Sequence, residues 1–381
     1  MRLPEVRDLT VPLPASTTVR GLLSLSLGAS MAVVKTLGNR AETGGAFRAR
    51  VLPRLLDAPG LFAASLLEPS RFTLARLLAL APHAPRGERI AWEEALISSL
   101  ALDVARELDA TITLPTTRPA VLVDERRSLA FDVPAGEVTF SRAGVSVGGV
   151  AVASRASAAP LVESTRLVLV DTNPLSSLEA HPDKFGSALD LGGRDVDVWR
   201  ASLVSALSLV EEHLPHTYGE MRLMLRHVVP VGYDEQKHLS ASYLEAIGVV
   251  YLTLHPQRMT MVEALIHEFQ HNKLNLLLAL DPVLENGELP LFTSPVRPDP
   301  RPLRGVLLAV HAFQPIALLY EALLARDDVN RGELSRRLGQ IAATCREGCE
   351  VLLPNARPTA VGKPLFDEIA ALDARLARHL P

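Results

Sequence analysis

Cysteine is nearly absent: the 381 residues hold two, Cys345 and Cys349. Two thiols four positions apart cannot build a disulfide framework, so the pair reads as reduced, semi-buried residues on a helix, as in a cytoplasmic protein. An excess of one charge is missing too. A formal net charge of −4 offers no basic face for nucleic acid. The lysines and arginines are dispersed among acids, as on a solvated mixed-sign surface. Met1 to Thr10 carries Arg2, Glu5, Arg7 and Asp8 and lacks the hydrophobic stretch of an export signal. The uncharged run Gly21 to Val34 is too short for a membrane span of about 20 residues and contains Ser24, Ser26 and Ser30. Neither nucleic acid nor a membrane is therefore an expected partner. Aromatic residues are scarce, and no internal repeat or low-complexity segment occurs.

Apolar residues are plentiful at 48%, enough for a sizeable core in a chain of this length. Their spacing changes along the chain. Ala46 to Leu56, Ser70 to Leu80 and Ile90 to Leu108 repeat apolar residues every three to four positions, as helices do. From Ala120 the segments become short, β-branched and broken by glycine or proline: Val121–Val123, Leu129–Val133, Val138–Phe140, Val145–Val152 and Arg166–Val170 read as strands of an antiparallel sheet. A helix over Val196–Leu214 and strands over Met221–Val229 and Ile247–Leu254 follow, and beyond Thr260 the pattern is helical. The expected fold is α+β: a helical N-terminal region (1–118), a strand-rich central region with a mostly antiparallel sheet (119–255), and a helical, zincin-like metal-binding lobe (256–381).

The chemistry concentrates in His267-Glu268-Phe269-Gln270-His271. Thr260 and Glu263 have capping-box spacing, which predicts a helix from about Met261 to about Leu280, stopped by Asp281-Pro282. Histidines four apart lie one turn above each other on one helical face, so both imidazoles can reach a single ion. Phe269, Leu265, Leu276 and Leu277 fall on other faces, where they can bury the helix. In zincin-type sites the strand before the metal helix is an edge along which a peptide lies extended. Ile247–Leu254 is either that strand or an ordinary core strand.

Two histidines leave a metal site incomplete. The helix expected over Pro302–Arg326 offers His311 and Glu321, which lie about 80° apart around the helix, so only one of them should face the ion. His311 is the preferred third ligand, because Pro315 four residues on should kink the helix beside it. Glu321 would instead complete the two-histidine-one-carboxylate face usual for non-haem iron. The proline-stiffened segment Arg297-Pro298-Asp299-Pro300-Arg301-Pro302-Leu303-Arg304 brings three arginines to the mouth of the site, suited to bidentate recognition of a carboxylate or simply solvated.

His267 to Asn275, Pro298 to Gly305, Ser240-Ala241-Ser242-Tyr243 and Gly248-Val249-Val250-Tyr251-Leu252 together resemble the HExxH-type peptide β-hydroxylases. The match is strongest over residues 238–325; the N-terminal half shares only general character. That family uses 2-oxoglutarate, modifies ribosomally made peptides, and is sometimes fused behind radical-SAM maturases. No Cys-x-x-x-Cys-x-x-Cys cluster occurs here, so the expectation is a stand-alone form. The resemblance implies Fe(II) and 2-oxoglutarate as cofactors, a precursor peptide as partner and hydroxylation at a β-carbon. It also implies that Arg297, Arg301 or Arg304 holds the distal carboxylate of 2-oxoglutarate, while Glu268 is a ligand or supports one. The competing reading is a zinc metallopeptidase of the zincin class, with Glu268 activating a zinc-bound water. A catalytically dead scaffold that binds a precursor peptide is a third reading, against which the intact His-Glu-x-x-His argues.

Overall fold

The computed structural model describes residues 6–37, 43–175, 180–181, 184–185, 187–296, 298–326 and 330–380. Six helices open the chain: α1 (Thr18–Lys35), α2 (Thr43–Arg50), α3 (Leu52–Asp57), α4 (Pro59–Leu66), α5 (Pro69–Leu80) and α6 (Arg86–Glu107). Helix α6 buries Leu96, Ile97, Leu100, Ala101, Val104 and Ala105, the three-to-four spacing that lays one stripe against a core. Seven short strands follow: β1 (Ile112–Thr116), β2 (Ala120–Asp124), β3 (Leu129–Val133), β4 (Gly136–Ser141), β5 (Gly144–Val147), β6 (Val150–Ala151) and β7 (Ser154–Ala156). They form two antiparallel sheets, ordered β1-β4-β5-β6 and β2-β3-β7. Ile112 lies opposite Phe140 and Leu114 opposite Val138, so alternate residues of β1 and β4 turn one apolar face to the helices.

A second, five-stranded sheet carries the rest. Its strands are β8 (Ala158–Val162), β9 (Thr165–Val168), β12 (His227–Tyr233), β13 (Ser240–Ala241) and β14 (Val249–Leu254), ordered β13-β14-β12-β9-β8. The intervening β10 (Ala180–His181) and β11 (Lys184–Phe185) pair only with each other. Strands β9, β12 and β14 run parallel, and the outer strands β8 and β13 are antiparallel to their neighbours. The fold is thus α+β, with antiparallel sheets in one half and a mixed sheet in the other. All six residues of β14 are buried, as an inner parallel strand requires. Helices α7 (Val196–His213), α8 (Pro215–Met224), α9 (Arg258–Leu278), α10 (Leu303–Leu324), α11 (Arg331–Asn355) and α12 (Lys363–Leu376) complete the chain, with a two-residue ribbon of β15 (Leu291–Phe292) and β16 (Arg301–Pro302).

The strand expected over Met221–Val229 is half helix. Pro215 stands at the first turn of α8, and Tyr218, Met221 and Met224 are buried at helical spacing, so the strand starts only at His227. The hydrophobic cores also group the chain differently from the three stretches read from sequence. One core joins α2–α6 to β1–β5; the other joins the N-terminal residues Val6, Leu9, Val19 and Leu22 to the five-stranded sheet and the C-terminal helices. Helix α10 has the length and hydropathy to cross a membrane, but 78% of that stretch is buried inside the protein. Gly348 lets α11 lie close on it: a Cβ there would come within 2.6 Å of Val310.

The two halves meet across a seam of buried charge. Arg71, fully buried, is 3.0 Å from Asp103 and 3.8 Å from Glu125, and Glu125 is 3.8 Å from His227 of β12. Buried Arg76 of α5 donates to the carbonyls of Leu244 and Glu245 beside the cleft described below. Burial pushes the His227 imidazole down to about 4, against the opposing pull of Glu68. An unfolded histidine protonates near pH 6.5. Between about pH 6.5 and 4 the unfolded chain therefore binds more protons, and stability falls as pH drops through that window. His227→Gln should reduce the difference between denaturation midpoints measured at pH 7 and pH 5. An unaltered difference would place the acid sensitivity in other groups.

Candidate metal centre

Helix α9 begins at Arg258, three residues earlier than Thr260-x-x-Glu263 predicts, and no side chain caps it. Glu263 is engaged elsewhere: Tyr320 of α10 donates to it at 2.6 Å, and Arg337 of α11 at 2.9 Å. The capping box is not used, because these charged and phenolic partners offer the carboxylate more than a backbone N–H at an exposed helix start. The helix is fastened to the sheet by Asn272. Its Oδ1 accepts from the Gly248 N–H at 2.7 Å, and its Nδ2 donates to the Val249 carbonyl at 3.1 Å. Gly248 has φ +82°, and a Cβ there would lie 2.6 Å from the Met224 carbonyl, so only glycine fits this contact.

The opposite face of α9 is anchored by polar groups. Buried Lys273 lies 2.6 Å from Glu220, and Gln270 donates to the Thr10 carbonyl at 3.3 Å. Glu368 accepts from the N–H of Val11 at 2.8 Å, which stitches the N-terminal segment to the C-terminal helices. Both faces being fixed, the third face of α9 is held rigidly against the cleft.

On that face His267, Glu268 and His271 bring a ligand atom each within 4.8 Å of one another. The imidazoles stand edge to face, centroids 4.4 Å apart, and Phe313 of α10 backs His267 at 5.0 Å. Burial pushes both histidines down to about 4, and for His267 the neighbouring His271 adds to the effect. Both are therefore neutral at physiological pH, the form that ligates metals. His271 Nδ1 and Glu268 Oε2 are buried without hydrogen-bond partners. Unpaired lone pairs of this kind are costly unless something electron-poor meets them. A divalent cation held by the two imidazoles, with the carboxylate beside it, would meet these lone pairs.

The cluster opens into a cleft of about 500 Å³, within the range of small-molecule sites. Arg301 and Arg304 line it. Each now faces a carboxylate, Arg301 with Asp299 at 2.9 Å and Arg304 with Glu288 at 3.1 Å. Arg297 lies outside the described residues. Ser240 and Ala241 of β13 form part of the cleft wall. Of the two readings of Ile247–Leu254, the structure shows the core strand: Val249–Leu254 is an inner strand flanked on both sides, and the edge beside it is β13.

The two candidates for a third ligand do not join the cluster. Helix α10 turns Gly305, Leu308, Ala309 and Phe313 to the cleft. His311 stands about 200° around from Ala309; it is fully buried, with its ring against the Leu9 and Gln270 backbone. Glu321 is held by Arg375 at 2.6 Å, Arg378 at 2.8 Å and His379 at 2.7 Å. The helix continues through Pro315, so proline marks no break that could turn His311 inward. Sequence reading missed His238, which lines the same cleft. Its only signal was its place two residues before Ser240-Ala241.

Compared with known proteins, the chain matches no protein-family profile and no curated sequence. What the centre does must be argued from its own residues.

Two outcomes check this geometry. His267→Ala or His271→Ala should abolish one-to-one binding of Co(II) by calorimetry while leaving the far-ultraviolet dichroism unchanged; a full equivalent bound by the double variant would contradict the assignment. Asn272→Ala should lower unfolding stability by about 3 kcal/mol, from an orphaned Gly248 N–H plus lost packing. A loss under about 0.5 kcal/mol in denaturant titrations would show that α9 is held by other contacts.

Proposed function

We propose that this protein is an Fe(II)- and 2-oxoglutarate-dependent hydroxylase that acts at the β-carbon of a residue in a ribosomally synthesised peptide. The observation that carries the reading is the cluster of two neutral histidines and a carboxylate in a cleft flanked by Arg301 and Arg304. His267 and His271 would hold the iron, with Glu268 beside them. Iron, when bound, supplies the oxygen-activating chemistry that converts 2-oxoglutarate to succinate and inserts one oxygen atom into a C–H bond. The protein's own part is binding and orientation. Arg301 and Arg304 would exchange their present partners Asp299 and Glu288 for the distal carboxylate of the cosubstrate, a charge-assisted contact. The peptide would lie against β13, whose outer edge is unpaired among the described residues, and pair with it through main-chain hydrogen bonds. The buried, free thiols of Cys345 and Cys349 accord with a reducing cytoplasm, and the reading calls for neither nucleic acid nor membrane.

A zinc metallopeptidase is the second reading, favoured by one observation. Glu268 Oε2 is unpartnered within reach of both histidines, where a base acting on a metal-bound water belongs. The two readings separate on one cosubstrate. Anaerobic titration of the Fe(II)-loaded protein with 2-oxoglutarate should give a weak visible charge-transfer band. One charge-assisted pair contributes about 1.5–3 kcal/mol, so Arg301→Ala or Arg304→Ala should shift that titration about tenfold to a hundredfold upward in concentration. With oxygen and the right peptide, succinate should form and the peptide should gain one oxygen. An iron form that never binds 2-oxoglutarate, together with a zinc form that cleaves peptides in a Glu268-dependent manner, would establish the peptidase instead.

A further inference from the structure

His238 lies in the segment between β12 and β13 and lines the cleft that His267 and His271 also line. Its Nε2 is buried and has no hydrogen-bond partner. A buried polar nitrogen without a partner is costly, and a histidine facing a metal site meets that cost by giving its lone pair to the ion.

The site has need of such a donor. A pair of histidines does not complete a protein metal site. Helix α10 supplies nothing to the cluster, since His311 packs against Leu9 and Gln270 and Glu321 is tied to Arg375 and Arg378. Glu268 brings a carboxylate oxygen within 4.8 Å of a ring nitrogen of each histidine, close enough to hold a proton beside an ion bound there.

We propose that His238 Nε2 is the third protein ligand of the divalent metal held by His267 and His271, leaving Glu268 free as a proton-transfer group. This rests on the reading of His267 and His271 as a metal site, and it holds for either reaction class. The atoms within 4.8 Å of one another come from His267, Glu268 and His271 alone, so ligation brings His238 towards them when metal is loaded.

The full-length protein loaded with Co(II) tests this. X-ray absorption, which counts imidazoles through their ring scattering, should find three in the wild type and two in His238→Gln. Chelator competition should show His238→Gln still binding one ion, but at least about tenfold more weakly. Added imidazole should restore part of the visible Co(II) spectrum lost in His238→Gly. Two imidazoles in the wild type, or an affinity and spectrum unchanged in His238→Gln, would overturn the proposal. The wild-type count needs no variant, so a misfolded substitution cannot hide the answer. A wild type that binds no Co(II) at all would overturn the metal site itself, a result distinct from a two-histidine site.

Discussion

Asn272 makes two hydrogen bonds to consecutive residues, accepting from Gly248 and donating to Val249, and through them fixes the metal helix to the inner strand of the sheet. Everything at the centre is referred to that junction. The histidines lie one and five residues before Asn272 on the same rigid helix. Strand β14, which Asn272 grips, in turn sets β13 and the cleft wall: Ser240 lies opposite Leu252 and Ala241 opposite Tyr251. Because Gly248 tolerates no side chain, the junction has one geometry, and the distance between metal helix and cleft wall is set with it.

Burial is the second constraint, and it acts in opposite ways on the two sides of α9. On the cleft side, desolvation keeps His267 and His271 neutral, ready to bind a cation without first losing protons. On the core side, the same low polarity makes Lys273 dependent on Glu220, and removing either would strand a charge. The polar core behind the helix is thus structural, while the polar cluster before it lacks partners and is open to a ligand.

Periodicity made much of this legible. Helices α5 and α6, the α9 helix and the placing of His267 and His271 on one face follow from spacing alone, because helix geometry converts a four-residue interval into adjacency. Arg301 and Arg304 were also legible, because the prolines around them keep that segment beside the start of α10. The unread features depend on contacts distant in sequence. Glu263 prefers Tyr320 and Arg337 over a local cap, Met221 to Met224 take a helical start from Pro215, and β9, β12 and β14 align in parallel through connections that leave no local pattern. His311 misled for a related reason: its position beside Pro315 says nothing of which side of α10 it occupies. His238 carried no local signal, because its place in the cleft comes from the segment between β12 and β13 and not from any spacing to His267.

The central claim is that one metal ion sits against α9 between His267 and His271. A crystal of the protein loaded anaerobically with Fe(II), with diffraction recorded on both sides of the iron absorption edge, tests it most directly. The account predicts a single strong anomalous peak within bonding distance, about 2.0–2.2 Å, of a nitrogen of each histidine. Iron located anywhere else in the protein, or no peak at that cleft under saturating metal, would contradict it.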